Sequence, residues 1–156
     1  MGISFRHNAG FGKRMEYKIV GDMLMEGLDC YMPLVDDHGV DLVIKRQSDN
    51  RFIEVQIKAR SNDVKPGDAA LFAGITHELT EDFYFVFYSE PMKKTWILSS
   101  EEFIKESRQN QSGKNVGKRT IWFNGYRTID KNTGKKEPYC YERYEKYLVD
   151  NYERFY

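Results

Sequence analysis

Asp41, Gln56 and Lys58 are the residues of this chain whose types and spacing best suit chemistry. In the stretch "IEVQIKAR" (residues 53–60), apolar and polar residues alternate as a half-buried strand requires, and the polar face carries Glu54, Gln56 and Lys58 in a row. The stretch "GVDLVI" (residues 39–44) puts Asp41 at the start of a neighbouring strand. An acid, a second oxygen ligand and a lysine on adjacent strands suit phosphodiester hydrolysis. Oxygen ligands hold Mg²⁺ or Mn²⁺, which polarises a phosphate and lowers the pKa of bound water, while the ammonium group orients that water or balances charge.

The two strands are expected to form a hairpin. Leu42 and Ile44 must share a core face with Ile53, Val55 and Ile57, so opposed residues have numbers that sum to an odd value. A two-residue turn at Asp49 and Asn50 places Asp41 opposite Lys58, Val43 opposite Gln56 and Lys45 opposite Glu54. At ~3.3 Å per residue, Gln56 then lies about 7 Å along the strand from Asp41 and Glu54 roughly 13 Å away. On that register Asp41 and Gln56 share an ion, Glu54 pairs with Lys45 and enters the site only through a bulge, and a four-residue turn worsens the fit.

"GVDLVI" followed by a hairpin and "IEVQIK" resembles the PD-(D/E)xK, or restriction endonuclease-like, nuclease superfamily, in which an Asp begins one strand and an acid-x-Lys lies on the next. Glu16 strengthens the resemblance, because many members, including Holliday junction resolvases, carry a glutamate on the upstream helix. Where the family usually has an acid, this chain has Gln56, as do certain group I intron homing endonucleases of the same superfamily. The resemblance spans roughly residues 13–105. It implies a metal-dependent endonuclease acting on DNA, with Asp41, Gln56 and Glu16 on Mg²⁺ or Mn²⁺, Lys58 on water or phosphate, and Glu54 nearby. It also implies a homodimer, since small nucleases that cut two strands commonly need one. The alternative is a nuclease-like domain that has lost a strong metal site and only binds nucleic acid or a protein partner.

The surrounding sequence supplies elements able to hold these residues. Residues 13–26 place Met15, Ile19, Val20, Met23 and Leu24 at helical spacing, with Gly27 as a C-cap, and Glu16 lies beside that stripe. Strands are expected over residues 29–35, 40–46 and 51–60, a helix over 69–79, a doubly covered central strand over 83–88, and a strand and capped helix over 94–107. Residues 109–118 read as a loop with basic and amide clusters, 119–125 as a strand, 130–138 as a turn and 139–156 as a final helix through Tyr144, Tyr147, Leu148 and Tyr152. The order αβββαβ with C-terminal additions describes an α/β domain with a mixed central sheet flanked by helices, occupying residues 1–156, with 106–156 as the additions.

Composition bounds the remainder. The chain has 156 residues, 40% of them hydrophobic and 15% aromatic, enough for one real core. Lys plus Arg and Asp plus Glu number 24 each, so any grip on DNA rests on a local patch. Lys13, Arg14, Arg60 and Lys65 are the candidates, with Lys114, Lys118 and Arg119 of the later loop able to assist. No recognition helix stands out. "GFGKR" (residues 10–14) lacks the ending of a phosphate-binding loop. Asp36, Asp37 and His38 read as loop residues. Cys30 and Cys140 are too few and too far apart for a disulfide framework or zinc site. With neither a signal peptide nor a membrane span in view, a soluble cytoplasmic protein is expected.

Overall fold

In the computed structural model, which describes residues 7–35 and 38–156, the strand that carries the candidate site lies inside a mixed sheet and is covered on one face by a helix. Asp36 and Asp37 lie outside the described residues. The helix, α1 (Asn8–Met25), is longer than its apolar stripe predicts and takes in "GFGKR". It precedes β1 (Asp29–Tyr31), β2 (Leu42–Lys45) and β3 (Phe52–Arg60). Further along the chain lie β4 (Leu71–Ile75), β5 (Phe83–Ser89), β6 (Lys94–Ser99), α2 (Ser100–Glu106), β7 (Arg108–Gln109) and β8 (Arg119–Trp122). The last elements are β9 (Asn124–Asp130), β10 (Lys135–Cys140) and β11 (Leu148–Val149). The main sheet runs β1-β2-β3-β5-β6-β11, with β3 and β5 parallel and its other neighbours antiparallel.

Two faces of this sheet are buried by different partners. Ile53, Val55 and Ile57 of β3 pack with Leu42 and Ile44 of β2 against Ile19, Val20 and Met23 of α1. Phe83, Phe85, Phe87, Trp96 and Leu98 cover the other face, under Phe103 of α2 and a small β4-β8-β7 sheet that contributes Phe72, Ile75 and Ile121. Central β5 therefore reads as aromatic or apolar from Phe83 to Tyr88, because both of its faces are largely covered, with Tyr84 and Tyr88 partly exposed. Helix α2 starts at a complete capping box between Ser99 and Glu102. The expected mixed α/β architecture is thus observed, and Cys30 and Cys140 are free thiols.

The strand expected over 119–125 is divided between β8 and β9, in different sheets, and three further segments depart from expectation. Within residues 69–79 the chain forms β4 (Leu71–Ile75) instead of a helix: Phe72 and Ile75 face the aromatic core, and Gly74 at φ +69° occupies an irregularity in the pairing with β8. The β3-to-β5 crossover therefore runs through a strand of the second layer. The turn expected over 130–138 is shorter, because Lys135–Cys140 is strand β10, whose Pro138 is tolerated at the edge of a two-stranded sheet. The final segment is two 3₁₀ turns, Glu142–Tyr147 and Glu153–Phe155, on either side of β11. Tyr144 and Tyr147 are three residues apart, which suits a 3₁₀ period as well as an α period, and Leu148 pairs with Trp96 at the sheet edge.

Asn124, fully buried, fastens the loop that follows β3 to the start of β9. Its Oδ1 accepts from Ala70 N at 2.8 Å, and its Nδ2 donates to the carbonyls of Pro66, Gly67 and Gly125 at 3.1, 3.3 and 3.0 Å. Leaving such groups buried without partners costs about 1–3 kcal/mol, so Asn124→Ala is expected to lower the unfolding free energy by that amount in urea titration. An unchanged denaturation midpoint would show that this residue does not secure the loop.

Candidate active site at the end of the second strand

Strands β2 and β3 separate at Asp41, and its side chain fills the gap. Leu42 pairs with Val55, Val43 with Glu54, Ile44 with Ile53 and Lys45 with Phe52. Asp41 N still donates to Val55 O at 2.9 Å, but the next N–H of β3, that of Ile57, donates to Asp41 Oδ2 at 2.7 Å instead of to a backbone carbonyl. A buried N–H needs an acceptor, and a carboxylate is a strong one.

The odd-sum rule holds, but the register differs by two from the expected one. Arg46 N donates to Arg51 O, which closes a four-residue loop over 47–50 in which Arg46 pairs with Asp49 and Asn50 takes φ 57°. Continued by one residue, the observed register sets Asp41 level with Gln56 instead of Lys58. The four-residue loop therefore improves the match between Asp41 and Gln56. Glu54 faces Val43 and is exposed, and it forms no ion pair with Lys45 among the described residues.

Glu16 joins Asp41 from α1. It is only 6% exposed, its Oε1 is buried with no hydrogen-bond donor, and its Oε2 lies 3.0 Å from Lys13 Nζ. Burial first, and then the hydrogen-bonding Asp41 carboxyl beside it, push the Glu16 pKa from an ordinary 4.5 to about 7, against the pull of Lys13. Two neighbouring carboxyl groups, one with an unpaired buried oxygen, are a donor set that fits a hard divalent cation. The described residues contain no group of three His, Cys, Asp or Glu that could hold a metal, and the Gln56 amide lines a different cleft from Asp41.

Gln56 and Asp41 open onto two clefts that share Pro33 and Val40. The Asp41 cleft is also lined by Lys13 and Tyr17, and the Gln56 cleft by His38, Gly39, Glu54, His77 and Glu78. Gly39 has φ +67°, and a Cβ there would stand 3.1 Å from Gln56 Nε2, so this glycine lets the chain pass close over the amide. Lys58 is half-buried beyond Gln56 on β3. The structure thus joins Glu16 to Asp41, sets Gln56 one cross-strand step away, and places Lys58 further along the same strand.

The expected phosphate-gripping residues behave differently from one another. The guanidinium of Arg60 turns inward: Nη2 donates to Leu71 O, Nε is buried without a partner, the group lies 5.7 Å from the Phe72 ring, and burial lowers its pKa. Half-buried Arg60 is thus engaged within the fold. Lys13 is engaged with Glu16, whereas Arg14 and Lys65 are exposed. His77, isolated in sequence, packs among Phe83, Phe85 and Phe103, with Nε2 2.6 Å from Ser100 Oγ, and borders the Gln56 cleft. Only the crossover through β4 brings it there, and no local sequence signal announces it.

No protein-family model and no curated protein matches the chain. Among solved structures it is similar to the bacterial homing endonuclease I-Ssp6803I, with a TM-score of 0.52 and 18% identity over 72% of this chain and 88% of that one. This likeness shows a nuclease-like fold.

The raised pKa of Glu16 makes stability depend on pH. Its protonated form is the one favoured by folding, so its contribution is fully present below about 4.5 and lost as pH rises through about 7. Without divalent ions, the wild type is expected to lose roughly 1–3 kcal/mol of stability between pH 5 and pH 8, and Glu16→Gln is expected to lose much less. Urea unfolding at the two pH values measures the difference. Equal losses in both proteins would assign the pH dependence elsewhere.

Proposed function

We propose that the chain is a metal-dependent endonuclease of the PD-(D/E)xK type, with a Gln-x-Lys site, that hydrolyses phosphodiester bonds in DNA. The observation that carries this reading is the acid pair of buried Glu16 and half-buried Asp41, with one Glu16 oxygen lacking a hydrogen-bond donor, at the point where two strands of a nuclease-like sheet part. I-Ssp6803I, a homing endonuclease of similar fold, supports the same reaction class.

Glu16 and Asp41, with the Gln56 carbonyl, are the residues that would hold Mg²⁺ or Mn²⁺, which when bound supplies Lewis acidity toward a phosphate oxygen and acidity to a coordinated water. Asp41 is positioned for this by the Ile57 N–H, which fixes one of its oxygens. Glu16 must give up its proton to act as a ligand, so cation affinity rises as pH passes about 7. Gln56 contributes an oxygen without charge, which leaves the two acids to set affinity. Lys58 supplies a cation on the strand beyond Gln56, suited to orienting water or balancing charge on the phosphate. A homodimer would present two such sites to the two strands of a duplex.

Cleavage of supercoiled plasmid and of a labelled branched duplex tests the reading. With Mg²⁺ or Mn²⁺ the wild type is expected to cut, and Asp41→Ala and Lys58→Ala are each expected to cut at least about 100-fold more slowly, the scale on which charge-stabilising groups act. Chelation is expected to abolish the activity. Salt-sensitive binding without cleavage would favour the rival reading, a nuclease-like domain that only binds. Cleavage by all three proteins at one rate would sink the proposed site.

A further inference from the structure

Residues 107–129 contain no acidic residue, the longest such run in the chain, and they carry five basic ones. In a sequence with 24 charges of each sign, that run is a local positive excess. Its first part is the β7–β8 hairpin, in which Arg108 pairs with Thr120 and Gln109 with Arg119. The connecting loop is a built turn. Asn110 N donates to Lys118 O and Gly117 N to Asn110 O, both at 2.8 Å, and Lys118 N donates to Asn115 O at 3.0 Å. Gln109 Nε2 adds a bond to Gly117 O at 3.1 Å. Arg108 and Lys114 are exposed and Lys118 half-buried, and none of the three enters an ion pair among the described residues.

The topology sets this hairpin beside the candidate site. Strand β8 pairs antiparallel with β4, with Arg119 opposite Ile75. Beyond Ile75 the chain continues into Thr76, His77 and Glu78, which line the Gln56 cleft. Because the strands run in opposite directions, loop 110–118 stands at that same end of the small sheet. The Asn115 side chain confirms the placement, lying 3.6 Å from where a Cβ on Gly74 would be.

We infer that the β7–β8 hairpin grips duplex DNA beside the Gln56 cleft, with Arg108, Lys114 and Lys118 on backbone phosphates. Unpaired cations on an ordered ribbon suit phosphate contact, and a two-stranded ribbon fits a DNA groove. This inference rests on the reading of the chain as a DNA-cutting nuclease.

The test is fluorescence anisotropy with a short labelled duplex in chelator, over a series of salt concentrations. It compares the wild type, the triple variant Arg108→Ala/Lys114→Ala/Lys118→Ala, and a control, Lys131→Ala/Lys135→Ala/Lys136→Ala, on the other hairpin. Each phosphate contact contributes about 0.9 to the slope of log affinity against log salt, so the triple variant is expected to lose roughly 2–3 of that slope and at least about tenfold in affinity near 0.15 M salt. The control is expected to stay near the wild type. Thermal melting checks folding, and the Gln triple at the same positions repeats the test with side-chain length kept. Wild-type affinity and slope in both triples would overturn the inference, as would an equal loss in the control or no duplex binding by the wild type. The two readings fail separately. If the wild type does not cut with Mg²⁺ yet the triple loses duplex binding, the nuclease reading fails and the hairpin assignment stands. If Asp41→Ala abolishes cutting while the triple binds and cuts as the wild type does, the hairpin assignment alone fails.

Discussion

The candidate site depends on one hydrogen bond, from Ile57 N to Asp41 Oδ2 at 2.7 Å. At that position an antiparallel ladder would use a main-chain carbonyl, but β2 has already left the sheet. The carboxylate replaces the missing acceptor and so satisfies a buried N–H that would otherwise destabilise the strand. The same bond fixes Asp41 at the mouth formed where the strands separate. A residue meant only to cap a strand end could be Asn or Ser. Glu16 brought against the same carboxyl is what a capping role does not require.

That second acid works against stability. Glu16 lies among the apolar residues of α1, where an ionised carboxyl is disfavoured by burial and by its neighbour. Lys13, one turn away at 3.0 Å, offsets part of this and reaches the carboxylate from the more exposed side. Local choices that conflict with folding tend to mark functional positions. Ile19, Val20 and Met23 beside Glu16 are buried as the helical pattern requires, although Leu24 of the same stripe is exposed, and Glu16 is the buried acid among the described residues of α1.

The alternation of Ile53, Val55 and Ile57 made the strand, its buried face and the odd-sum pairing legible in the sequence, because a period of two leaves no freedom about which side faces the core. Gln56 and Lys58 fall on the opposite face of the same strand by that alternation, whereas Glu16 was placed beside the apolar stripe of α1 by helical spacing. The register was not, because loop length in a hairpin is decided by contacts such as Arg46 with Asp49 and by a left-handed Asn50, which compete closely with a two-residue turn. Residues 69–79 were misread because short apolar runs do not distinguish helix from strand, and the deciding partner, β8, lies far along the chain. The contacts of Arg60 with the Leu71 carbonyl and the Phe72 ring were not legible, because these groups reach it only in the folded layers.

The neutral Gln56 changes how this site can bind a cation. With Lys13 bridging to Glu16, and Glu16 itself ready to hold a proton below about pH 7, the acid pair is partly balanced before any ion arrives. On the proposed reading Glu16 would have to release that proton or leave Lys13 to hold a divalent cation, and Gln56 would offer only a neutral carbonyl oxygen. A third carboxylate at position 56 would bind the ion more tightly, but it would add a further negative charge beside a pair that already repels. The glutamine, under Gly39 in the neighbouring cleft that shares Val40, adds no charge to the acid pair, so the fold there does not need a cation to offset a third carboxylate.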